Sequence, residues 1–154
     1  MYQTFTFLHS AFRWVVLISL IYSIWRAYKG YFTHKIFSKT DDLARHWTAT
    51  IAHIQLILGI ILYTKSPVVK YFWKNFSEAK SSIDVLFFGL IHFLIMITAI
   101  ILITVGSAMA KRKETDKEKY KTMLIWFVTA LILIFLAIPW PFSPIVNRPY
   151  FRSL

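Results

Sequence analysis

The sequence predicts an all-α integral-membrane protein, an up-down four-helix transmembrane bundle with both termini outside. Three observations predict it. Four stretches are long and apolar enough to cross a bilayer, 57% of the 154 residues are hydrophobic, and basic residues gather in the loops after the first and third stretches. A hydrocarbon core of about 30 Å needs roughly 20 mostly apolar residues in a helix. With four such spans in 154 residues, no large soluble domain fits beside them, and the chain is expected to be a single membrane domain.

The first span covers residues 5–25. Its basic residues, Arg26 and Lys29, follow the apolar run, whereas a signal peptide carries charge before a shorter core, so the span is expected to be retained. The second and fourth spans, residues 47–63 and 122–138, are the shortest, and they need interfacial aromatic and basic residues to complete the crossing. Trp47 opens the second, Tyr63 closes it, and Trp140 follows the fourth. The third span covers residues 85–110. Short loops favour antiparallel neighbours. The YFWKNF run at 71–76 is expected to form a short interfacial helix. Residues 139–154 hold four of the five prolines and cannot continue a helix, so they are expected to lie along the outer surface as a cap.

Charge sets the expected orientation. Arg26, Lys29, Lys35, Lys39 and Arg45 precede or flank the second span, and Lys111, Arg112, Lys113, Lys117, Lys119 and Lys121 join the third to the fourth, which is eleven of the eighteen basic residues. By the positive-inside rule these loops are cytoplasmic and both termini lie outside. The net charge of +11 follows the loops, so it indicates anionic lipid and gives no support to nucleic acid as a partner. The chain has no cysteine, which excludes disulfides and thiolate ligands. It has no Gly-rich phosphate loop and no Ser/His/Asp set, so hydrolase and nucleotide chemistry have no motif to rest on.

What remains is imidazole. His9, His53 and His92 lie in three different spans, and ionisable side chains inside a membrane are functional-site candidates. At 1.5 Å per residue, His53 is about 15 Å from Tyr63, His92 about 12 Å from Asp84, and His9 only about 6 Å into its span. Depth therefore pairs His53 with His92 as axial ligands of one haem. In an up-down square, however, the first and third spans face each other, which leaves a His9–His92 pairing open. Arg13 shares a helical face with His9 and suits a haem propionate, with Lys65 as a second cation. Gly89 and Met96 share the His92 face, where an absent side chain would admit a flat ring and a thioether would pack on its edge. Thr50 and Gln55 are candidates to orient the imidazoles. His34 and His46 are expected at the solvated and interfacial inner side.

The segments LHSAFRW (8–14), AHIQLILGIILY (52–63), LIHFLIMITAIILITVG (90–106) and IPWPF (138–142) resemble a small four-span bacterial membrane family described as cytochrome b-like. The resemblance implies haem b in a four-helix bundle, with His9, His53 and His92 matching the recurrent histidines. The expected function is that of a small b-type cytochrome-like subunit, which passes electrons to or from a quinol or a larger respiratory or export complex. Such a chain is an electron-transfer or accessory subunit rather than a stand-alone enzyme. The alternatives are a non-redox accessory subunit whose histidines only pack, and a copper or zinc site made of His9, His53 and His92.

Overall fold

The computed structural model of the protein describes residues 2–150; Met1 and residues 151–154, with Arg152 and Leu154 of the tail, lie outside the described residues. Among the described residues every regular element is helical. Helices α1 (Tyr2–Phe32), α2 (Lys39–Lys65) and α7 (Asp116–Ala137) are unbroken. A further long helix runs through Ile83–Arg112 as α5 (Ile83–Leu86), a π-helical turn (Phe87–Ile91) and α6 (His92–Arg112). All four are long and apolar enough to cross a membrane. Two short helices, α3 (Pro67–Lys74) and α4 (Phe76–Ala79), lie between α2 and α5, so most of the YFWKNF run is helical as expected.

The spans are longer than their apolar runs because polar residues cap them. At the start of α2 the Ser38 hydroxyl accepts from the Asp41 amide, while Asp41 Oδ2 accepts from the Ser38 amide at 2.9 Å. This reciprocal cap starts the helix eight residues before Trp47 and gives it 27 residues. Thr115 caps α7 with its hydroxyl, which accepts from the Glu118 amide, and that helix has 22 residues. The spans expected to be shortest thus reach full length through their charged ends.

Helix α1 packs against α2 and α7, and α6 packs against the same two, so α1 and α6 lie across the core from each other. Small residues make this close: Ala27, Ala52, Ala99, Ala110 and Ala130 are fully buried between the helices. Two glycines admit aromatic rings, since a Cβ at Gly30 would collide with the Tyr120 ring and one at Gly106 with Trp126. Large apolar side chains point outward all round, among them Ile18, Ile21, Ile57, Leu94, Ile101, Ile132 and Leu136. Such a surface suits acyl chains.

Near the ends of α1 and α6 and the starts of α2 and α7 the core is polar and fully paired. Asp41 accepts from Arg26 Nε at 2.6 Å and from the Tyr120 hydroxyl at 2.8 Å. Arg45, 5% exposed, donates to Ser107 Oγ at 2.6 Å and to Asp42 Oδ1 at 2.7 Å. One turn further along α2, the Ser23 and Thr48 hydroxyls meet at 2.7 Å, and Thr48 donates to the Ser19 carbonyl.

Because Tyr120 fills the space left by Gly30, Gly30→Ala is expected to lower stability by about 1–3 kcal/mol through overpacking. Tyr120→Phe keeps the ring but removes a donor from buried Asp41, for a similar loss of about 1–3 kcal/mol. Thermal midpoints in detergent check both; an unchanged midpoint for Gly30→Ala would contradict the close approach.

Candidate functional site: a cavity between the four long helices

At the end of the molecule away from the Arg26–Asp41–Tyr120 cluster, the four long helices line a partly open cavity of about 280 Å3. Its walls are mainly apolar, with Val16, Leu56, Ile97, Ile100 and Ile134 among them. Five polar side chains of note line it: His9, Arg13, Gln55, His92 and Arg148. His9 and His92 come from the two facing helices, with ring centres 6.5 Å apart at an interplanar angle of 70°.

Each imidazole is held from behind. The Ala137 carbonyl lies at the C-terminal end of α7, where the residue four ahead is Pro141 and has no N–H to offer. His92 Nδ1 donates to this carbonyl at 2.8 Å. That bond fixes the ring and makes Nε2 its unprotonated, ligand-ready nitrogen. The His9 ring lies over Gly59, with Cε1 3.4 Å from where a Cβ would stand. Gln55 Nε2 donates to the His9 carbonyl at 3.1 Å and reaches His9 Nε2 at 3.4 Å. His9 Nδ1 and Gln55 Oε1 are buried without a hydrogen-bond partner among the described residues. Leaving such groups unpaired costs about 1–3 kcal/mol each, which a polar or ligating occupant would offset.

The cations sit in the same cavity. Arg13 donates to the Tyr150 carbonyl, and its guanidinium lies 5.5 Å from the centre of the Trp14 ring and 5.9 Å from that of Trp140. Arg148 lies 5.0 Å from the centre of the Phe88 ring. Arg148 arrives with the tail, which leaves α7 at Ile138 and packs Trp140 against Trp14 and Tyr150. The tail therefore caps the bundle at the cavity end.

Of the residues singled out from sequence, the structure brings together His9, Arg13, Gln55, His92 and Met96 on the cavity. His53 is elsewhere. It is exposed on the outer surface, with Nε2 3.0 Å from the Thr104 hydroxyl of α6. Its expected pairing with His92 requires Tyr63 and Asp84 to be level. Tyr63 instead donates to the Gly89 carbonyl at 2.7 Å, five residues further along, and His9 meets Gln55 and Gly59. That shift in register separates His53 from His92 and brings His9 level with it. Gly89 is also not a ring slot. A Cβ there would collide with Phe72, so the glycine accommodates α3 rather than a cofactor. Thr50 donates to its own helix at the His46 carbonyl, and Lys65 does not line the cavity. Among the described residues no group of three or more His, Cys, Asp or Glu could hold a metal, so the three-histidine copper or zinc site is not assembled.

Sequence reasoning missed Gly59 and Arg148. Gly59 was visible as the residue one turn after Gln55 on the same face. Arg148 was not, because nothing in an irregular tail indicates which way it folds.

Gly89→Ala is expected to displace Phe72 and lower the thermal midpoint, at a cost of about 1–3 kcal/mol, without moving His9 or His92; a variant as stable as the parent would return Gly89 to the list of cavity residues. No protein-family model matches this chain, nor does any curated protein or solved structure.

Proposed function

We propose that this protein is a small b-type cytochrome-like membrane subunit that binds one haem b between His9 and His92. The observation that carries the proposal is the pair of facing imidazoles, 6.5 Å apart in a single apolar cavity. A metal–imidazole bond of about 2 Å on each side puts two ring centres sharing one ion about 6 Å apart. A haem would supply one-electron redox chemistry, tuned by its axial ligands and the polarity around it. The chain's own part is to hold the two rings. Ala137 fixes the tautomer of His92, Gln55 and Gly59 seat His9, and the aliphatic walls keep out water. Met96 packs at the edge of the cavity. No second redox centre is supplied by the sequence, so the reading includes electron exchange with a quinol or a larger respiratory or export complex. It accords with the resemblance to the cytochrome b-like family.

The proposal extends to topology. The pairings Ser23–Thr48, Tyr63–Gly89 and His92–Ala137 support an up-down bundle. The basic loops support termini outside, in a bacterial cytoplasmic membrane, with the cavity in the outer half.

Purified from haem-replete cells, the protein is expected to be red, with the sharp reduced α-band of six-coordinate low-spin haem. His9→Ala and His92→Ala should each abolish six-coordination, and His53→Ala should preserve it. A six-coordinate spectrum lost in His53→Ala but kept in His9→Ala would overturn the pairing, and a colourless protein that also ignores added haemin would overturn the function.

Reporter fusions after Lys113 and after Leu154 should fall on opposite sides, Lys113 inside. A cytoplasmic Leu154 would reverse the orientation and place the site toward the inner leaflet.

A further inference from the structure

Among the described residues, the cavity holds two guanidinium groups and no acid to balance them. Arg13 comes from α1 and Arg148 from the tail, and both line the same apolar space. The Nε atom of each is buried without a hydrogen-bond partner. None of the three ion pairs among the described residues involves either arginine, and no Asp or Glu lines the cavity. The contrast with the far end of the molecule is direct, since there Arg26 and Arg45 each bind an aspartate. Aromatic faces at Trp14, Trp140 and Phe88 support the two cations but give them no counter-charge. Each guanidinium is half-buried, with its Nε in the interior and no opposite charge beside it among the described residues, and its fork is shaped to take a carboxylate bidentately.

We propose that Arg13 and Arg148 form a two-armed clamp for a dianionic, otherwise apolar ligand that carries two carboxylates. The inference rests on the haem reading, in which those carboxylates are the two propionates, and it assigns to Arg148 the part that sequence had suggested for Lys65. It also makes the tail a component of the binding site. A ligand held by Arg148 ties residues 139–150 to the bundle, so occupancy and closure of the tail are coupled.

The test is a titration of the full-length protein in detergent, read by quenching of tryptophan fluorescence and by absorption. Three probes are used: haemin, haemin dimethyl ester, and metal-free protoporphyrin IX with both carboxylates free. The ratio of affinities is compared between parent and variants, so partitioning into detergent cancels. The parent is expected to prefer haemin over its ester by at least about tenfold, the scale of one charge-assisted hydrogen bond. Arg13→Gln with Arg148→Gln should bind both equally, and Arg148→Lys should fall between because it keeps charge but loses the fork. Ligand should also protect the tail against limited proteolysis in the parent and not in Arg148→Gln.

Equal binding of acid and ester by the parent, with a six-coordinate spectrum, would overturn the clamp and leave the haem reading standing. Arginine-dependent binding of metal-free porphyrin, with haemin never becoming six-coordinate, would overturn the haem reading and leave the clamp. An Arg148→Gln variant with unchanged helix content and undiminished preference for the acid would remove Arg148 from the site.

Discussion

Register between neighbouring helices is the constraint on which the cavity depends. In a bundle whose outer surface is apolar, sliding one helix past another changes little buried apolar area, so aliphatic packing alone does not fix their relative heights. Buried polar bonds do. The Ser23–Thr48, Arg45–Ser107, Tyr63–Gly89 and His92–Ala137 contacts each have a short range of acceptable lengths, and each joins a different pair of points along the helices. Together they lock α1, α2, α6 and α7 at heights where two imidazoles share one space. A displacement of one turn, about 5.4 Å, would place either ring against aliphatic side chains.

The two ends of the molecule divide stability from binding. At one end the buried charges meet opposite charges and hydroxyls: Asp41 has Arg26 and Tyr120, and Arg45 has Asp42 and Ser107. At the other end the cavity carries two guanidinium Nε atoms, an imidazole nitrogen and an amide oxygen without hydrogen-bond partners among the described residues. Such unpaired groups lower the stability of the empty fold, and natural proteins keep them where a ligand completes them. The closed end holds the bundle together while the open end remains incomplete.

Much of the fold was legible because its signals are long. Four apolar runs and the prolines after Ile138 specify helices and a stop from neighbours in sequence alone. His9, Arg13, Gln55, His92 and Met96 were legible as polar or soft residues within spans. Height was not legible, because it depends on which hydroxyl meets which carbonyl across the bundle, and Tyr63 gives no local sign that it seeks Gly89. His53 was misplaced for that reason, and Gly89 because its partner Phe72 lies on a short helix whose docking is a tertiary event. Arg148 depends on the path of an irregular segment, for which periodicity supplies no rule.

The π-helical turn at Phe87–Ile91 has a consequence for the angular phase of the helix that carries His92. The His92 amide reaches back five residues to the Phe87 carbonyl, where an α-helix would reach four. The turn is therefore equivalent to one residue inserted into an otherwise continuous helix. Each residue of an α-helix advances the side chains by about 100°, so the inserted residue lets the turn and the stretch before it face α3 while the stretch after it aims His92 at His9. In a uniform helix these two orientations would compete. The wider turn uncouples them, and the azimuth of the imidazole is set independently of the packing that holds its helix in place.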